Sequence, residues 1–275
     1  MDVMRALLPI SLTHLNVDVH GFFGTDWLDR GGIRANFIAS VDGAIAVSGL
    51  SRGLQTPGDN TIFAALRDLA DVVLVGAGTA TAEKYGPVRP AGERLAQRRV
   101  AGLADELPIA IVSRSLNVDP DSRLFAATGA GTTIVLTCAA ANPDTLRALG
   151  GVADVVVCGK ESVDLAVARA ALVERGLTRI LCEGGPTLFA DLAEHGLVDE
   201  LCLSIAPLLA GPGSSAGSGA GSGAGSGAGS GRLVAGAAWA TSRRVELVGL
   251  LEEDHALFAR YRLLADSTDG DSGAG

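Results

Sequence analysis

Apolar positions along the chain fall into short, nearly continuous runs separated by stretches with helical spacing. The runs at 33–40, 72–76, 109–113, 133–137, 155–158, 179–182 and 200–206 have the length of strands, and several are continuously apolar, as strands covered on both faces are. Two more, at 245–250 and 256–263, close the chain as an antiparallel pair. Between them the spacing predicts helices over 57–70, 79–84, 163–175 and 186–194. Pro57 and Pro186 sit where a first-turn proline is tolerated, with Thr56 and Gly185 ahead of them as caps. This order predicts an α/β fold with a mostly parallel central sheet, an antiparallel C-terminal finish and helices on both faces.

Three stretches do not share the pattern. From Gly211 to Gly231 the chain cycles through glycine, serine and alanine, with no apolar group large enough for a core, and is expected to be a flexible loop. Residues 265–275 are expected to form a solvated tail. The first thirty residues are poorly patterned and expected to wrap the outside. One domain over 1–264, carrying the loop within it, is the expected organisation.

Composition narrows the function. The 275 residues are 48% hydrophobic, which excludes a disordered chain. No apolar run reaches the roughly 18 residues that a membrane span needs. The start, Met1-Asp2-Val3-Met4-Arg5, lacks the basic-then-apolar order of a secretion signal, so a cytoplasmic protein is expected. A net charge of −9 without a basic run gives no footprint for nucleic acid. Cys138, Cys158, Cys182 and Cys202 lie in or beside apolar runs with no C-x-x-C spacing, and read as buried reduced thiols. The four histidines have no metal-ligand spacing, and no G-x-S-x-G elbow is present. Twenty arginines stand against only two lysines, so an anion must be held by guanidinium, backbone N–H or hydroxyl groups.

Chemistry concentrates at strand ends. Val73-Leu74-Val75-Gly76-Ala77-Gly78-Thr79 and Ile180-Leu181-Cys182-Glu183-Gly184-Gly185-Pro186-Thr187-Leu188 each end an apolar strand in glycines and open a helix. Either is an ordinary tight turn or a phosphate contact. Two in one sheet suit a pyrophosphate lying across a crevice. Thr81 occupies the place of the third glycine in the first turn, which disfavours a standard dinucleotide fingerprint. Ser113-Arg114 at another strand end can hold the extra phosphate of NADP or can be a solvated cap. Asp42-Gly43 reads as a turn. Asp59, in the first turn of a helix, reads as a dipole-favoured carboxylate or as a group facing a bound heterocycle.

In this order the motifs resemble the reductase family of riboflavin biosynthesis. That reductase is the C-terminal domain of bacterial deaminase–reductases and also stands alone, as in actinobacteria, with a dihydrofolate-reductase-like fold. The resemblance rests on the S-x-D-G strand within Asn36–Ala46, on Thr56–Pro87 with Leu66-Arg67, and on E-G-G-P-T-L followed by V-D-E-L and I-A-P within Glu183–Gly211. The H-x-E and P-C-x-x-C of the deaminase half are missing.

The resemblance implies NADPH-dependent reduction of 5-amino-6-(5-phosphoribosylamino)uracil, or the related diaminopyrimidine, to its ribitylamino product. It implies cofactor contacts from Thr79, Glu83, Ser113 and Gly185, Pro186, Thr187 and Leu188. Gly76, Gly78 and Gly184 join them from the glycine turns, and Arg114 is added for the 2′-phosphate. It further implies substrate contacts from Ser51, Arg67 and Glu183, a homodimer, and Asp59 as the catalytic candidate facing the substrate ring. The chain departs from the family pattern in having Glu83 for aspartate, Gly53 for a tryptophan, and Tyr85-Gly86-Pro87 for a shorter D-P turn beside Arg89. A dihydrofolate or pteridine reductase on the same scaffold, and a silent NADP-binding module, are the alternatives.

Overall fold

A computed structural model describes residues 17–126, 133–211, 233–234, 239 and 242–264. The flexible loop, apart from Gly211, and the tail expected from the sequence lie outside the described residues. The continuous apolar runs form a nine-stranded sheet. Its strands are β1 (Gly32–Ser40), β2 (Val72–Gly76), β3 (Ile109–Val112), β4 (Ile134–Thr137), β5 (Asp154–Val157), β6 (Arg179–Cys182), β7 (Glu200–Ala206), β8 (Val245–Glu253) and β9 (Ala256–Leu263). The order across the sheet is β5-β4-β3-β2-β6-β1-β7-β9-β8. The first seven strands are mutually parallel, and β9 and β8 finish the sheet antiparallel.

The path of the chain explains why two faces are covered. From β1 it skips one position to β2 and steps outward through β3, β4 and β5; it then returns to insert β6 beside β1 and lays β7 on the far side. Right-handed crossovers put the helices of the outward leg on one face and those of the return leg on the other. Helix α3 (Pro57–Asp68) and α6 (Pro143–Leu149) accordingly bury Ile62, Leu66 and Leu149 against Val73, Val75, Ile111 and Val135. On the opposite face α7 (Leu165–Glu174) and α8 (Pro186–Glu194) bury Leu172, Leu188 and Leu192 against Ile33, Ala35, Val72 and Leu74. Successive residues of β2 thus feed alternate cores, the two-residue period of a strand.

The N-terminal segment departs from expectation. Residues 19–30 do not simply wrap the outside: α1 (Val19–Gly24) and α2 (Trp27–Arg30) sink Phe23 and Trp27 into the first core. The Trp27 indole N–H donates to Leu69 O at 3.0 Å. The short α4 (Ala77–Ala82) lies where a helix is predicted after β2, whereas α5 (Gly92–Val100) and α6 have no counterpart among the predicted helices. Among the described residues, no helix is long and apolar enough to cross a membrane.

Candidate active site

Because the outward and return legs use opposite faces, the chain after β2 and the chain after β6 part at the C-terminal ends of adjacent strands. Such a reversal opens the crevice in which parallel α/β sheets bind ligands. The two glycine turns stand on either side of it and touch. The Gly76 N–H donates to Gly184 O at 2.9 Å, and a methyl built on Gly185 would collide with Thr79 Oγ1. Gly184 has φ +103°, which favours glycine, and Phe37 closes over its Cα. Gly78 faces open space. Beyond Gly185, Pro186 and Thr187 form the first turn of α8, with Thr187 exposed and Leu188 buried beneath.

Glu183, the residue before these glycines, belongs to the face covered by α3. Arg67 reaches it from α3 in a bidentate pair, Nε to Oε1 and Nη2 to Oε2, both 2.7 Å. Tyr85 adds its hydroxyl to Oε2 at 2.8 Å. The guanidinium lies 4.2 Å from the Phe63 ring centroid, one helical turn earlier on α3. Burial alone would lower the Arg67 pKa, but the Glu183 charge and hydrogen bonds hold it above its ordinary value. Tyr85 is raised well above the usual phenol range by burial and then by the Glu183 charge. Both are therefore fixed donors to one carboxylate. Asn36, one residue beyond the last β1–β6 pair (Ala35 with Cys182), keeps a buried Oδ1 without a hydrogen-bond partner among the described residues.

The remaining predicted residues fall around this centre. Ser51 and Glu83, expected to serve substrate and cofactor separately, are joined: Ser51 N and Oγ both donate to Glu83 Oε1 at 3.0 Å. Asp59 is buried on α3, with Ser204 of β7 as the polar group that favours its charged form. Burial raises the Asp59 pKa and Ser204 only partly offsets it. Ser113 and Arg114 stand one strand further out. The Ser113 hydroxyl accepts from Leu116 N at 3.0 Å, and Arg114 is exposed.

Two residues of the site escaped the sequence reading. Tyr85 was noted only as part of an altered turn, and nothing local places its hydroxyl on Glu183. Asp42, read as a turn residue, accepts from Ser40 Oγ at 2.5 Å and from the N–H groups of Ala210 and Gly211 at 3.0 and 2.8 Å. These bonds hold its carboxyl down at about 2 and tie the loop after β1 to the chain after β7. The D-G signal was present, but its partners lie about 170 residues away in sequence. Cys182 and Cys202 are sealed thiols, pushed up by burial to about 12 and about 11.

Fold and site together define a doubly wound α/β protein whose glycine turns and Arg67–Glu183–Tyr85 cluster gather at a topological switch point. The family model of the RibD C-terminal domain matches residues 32–225, and the chain belongs to that family. Among curated proteins it is 29% identical over 177 residues to a 2,5-diamino-6-ribosylamino-4(3H)-pyrimidinone 5′-phosphate reductase of Methanothermobacter thermautotrophicus, covering 64% of this chain and 77% of that protein. It is 26% identical over 227 residues to the enzyme of the same name from Archaeoglobus fulgidus, covering 82% and 96%. A crystal structure of a pyrimidine reductase-like protein from Corynebacterium diphtheriae superposes with a TM-score of 0.76 at 26% identity, over 91% of this chain and 100% of that one.

Proposed function

We propose that this protein is an NADPH-dependent reductase of a phosphoribosylaminopyrimidine. Its substrate is then 5-amino-6-(5-phosphoribosylamino)uracil or the 2,5-diamino counterpart that names its archaeal relatives. The observation that carries this reading is the Arg67–Glu183–Tyr85 cluster standing at the sheet's reversal point, directly beside the touching glycine turns.

The crevice fits a dinucleotide because glycines bring its backbone within reach where a pyrophosphate must approach: Gly185 leaves room for the Thr79 hydroxyl beside it, and Gly78 is open. Gly76, Gly78, Thr79, Gly184, Gly185, Pro186, Thr187 and Leu188 would hold it, with Glu83 fixing the adjoining Ser51 turn. Arg114, with Ser113, supplies the one guanidinium of this strand-end group for a 2′-phosphate. When bound, NADPH supplies the hydride that adds to the sugar C1. The residues of the chain orient and protonate. Glu183, its charge fixed by Arg67, accepts from donor groups of the substrate. Asp59 keeps a proton to a higher pH than an exposed carboxyl and is assigned as the proton source facing the ring. In the same reading the protein works in the cytoplasm as a homodimer, paired through the β8 edge, where Val245 and Leu247 are exposed.

Absorbance at 340 nm, followed with NADPH and each pyrimidine alongside dihydrofolate, tests the proposal. Turnover of a pyrimidine is expected. Turnover of dihydrofolate alone would make the protein a pteridine reductase, and NADP binding without turnover would make it a binding module.

A further inference from the structure

Carboxylates carry about four acceptor positions, two on each oxygen. On Glu183, Oε2 is filled by Arg67 Nη2 and by Tyr85, while Oε1 receives Arg67 Nε alone. Among the described residues, the one acceptor position left is therefore on Oε1. The Glu183 side chain is 2% exposed and that of Arg67 19%, so little water competes for it.

Tyr85 is placed by independent forces. Its ring packs against the first core, its N–H donates to Ala80 O at 2.8 Å, and Lys84 before it takes the left-handed conformation (φ +54°) that turns the chain inward. Arg123 lies along Gly86 just after it. The phenol is thus delivered by the backbone, not drawn in by Glu183.

We propose that Tyr85 is a positioning residue, whose hydroxyl saturates Glu183 Oε2 and so makes Oε1 the oxygen that receives a donor group, N–H or O–H, of the bound pyrimidine. This rests on the reading of Glu183 as substrate-facing. Arg67 alone binds both oxygens equally and leaves the carboxylate without a preferred open side; Tyr85 breaks that symmetry. The effect belongs to the pyrimidine and not to the dinucleotide, because the glycine turns that would hold the latter make no hydrogen bond with Tyr85 among the contacts described.

Tyr85→Phe keeps the ring and its packing and deletes only the hydroxyl. On the full-length protein it is expected to raise KM for the pyrimidine about tenfold, about the worth of one well-placed hydrogen bond to a charged group, because the substrate's donor no longer meets a carboxylate with one fixed open side. Meanwhile kcat and KM for NADPH stay within twofold. Calorimetry of pyrimidine and NADPH binding separates the same two effects without turnover. An unchanged pyrimidine affinity would overturn the proposal, as would an equal loss for both ligands with a lowered melting midpoint, which marks a purely structural role. Glu183→Gln run beside it locates a failure. If Glu183→Gln weakens the pyrimidine and Tyr85→Phe does not, positioning is wrong and the site reading stands. If neither does, both fall.

Discussion

Two glutamates on this sheet are gripped by arginine, and they differ in what is left over. Glu200, at the start of β7, receives Arg34, Arg260 and Arg30, with contacts between 2.6 and 3.1 Å, and is fully buried. Arg34 is itself stacked 4.1 Å from the Trp27 ring, and Arg260 continues to the carbonyls of Phe22 and Thr25. That cluster locks the N-terminal helices to the strand starts. Glu183, at the opposite end, has one arginine and one phenol, and keeps an acceptor position beside a partly exposed guanidinium. The same pairing is a sealed lock at one end and an open seat at the other. The two clusters differ in the count of donors and not in the presence of a salt bridge.

Breaking the lock has the largest expected effect. Glu200→Gln leaves three guanidinium groups around a neutral amide, and a buried pair broken on one side costs about 3–5 kcal/mol. Urea denaturation is expected to show that loss. The cluster also fixes a pH dependence. Burial would raise the Glu200 pKa, but hydrogen bonds and charge from Arg260 and Arg34 hold it below the ordinary value. A lowered folded pKa gives stability that is present above the unfolded value of about 4.3 and disappears as pH falls through the folded one. Acid denaturation of wild type, compared with Glu200→Gln, is expected to show that this contribution is lost in the variant.

At the seat, Gly185→Ala should act on the cofactor. The added methyl meets Thr79 Oγ1 and spoils the approach of the two turns. NADPH affinity is expected to fall about 100-fold, equivalent to about 2.7 kcal/mol. An unchanged Kd by fluorescence would remove the glycine turns from the cofactor site.

Asp59 should give the smallest effect on stability, with a sign opposite to that of Glu200. Its raised pKa means stability present below the unfolded value of about 3.9 and lost as pH rises through the folded one. Asp59→Asn is therefore expected to melt slightly higher than wild type at pH 7, with the difference closing toward pH 3, while turnover falls. A carboxyl kept at a cost to stability is what a working site shows. Equal melting at both pH values would return Asp59 to an ordinary helix-start residue.

Most strands were legible because their short apolar runs are bounded by turn residues, whereas the exposed edge strand β8 continues to Glu253, beyond its expected end at 250. Helices α3 and α8 were legible from their proline starts and apolar stripes. Helix α5 was not, because its inward position is Arg98, fully buried and satisfied by the carbonyls of Arg67, Ala70, Ala104 and Glu106. A periodicity search reads an arginine as solvent-facing. Helices α1 and α2 are too short for periodicity, and Trp27 is buried by a partner 42 residues away. In the site, Arg67, Glu183 and the glycines announced themselves by motif, whereas the Ser51–Glu83 pair, Tyr85 on Glu183 and Asp42 on Ala210 are made only by folding.

The most direct test sets the two glutamates side by side: the melting midpoint and the pyrimidine kcat/KM of Glu183→Gln and Glu200→Gln, each measured on folded protein. The expected result is an asymmetric pattern: Glu200→Gln, which strips three arginines of their partner, loses the more in midpoint and keeps its kcat/KM, while Glu183→Gln, which weakens one buried pair, loses less midpoint and most of its kcat/KM. If Glu183→Gln fell in midpoint as far as Glu200→Gln and its folded fraction turned over the pyrimidine like wild type, the open seat would be a second lock and the account would be wrong.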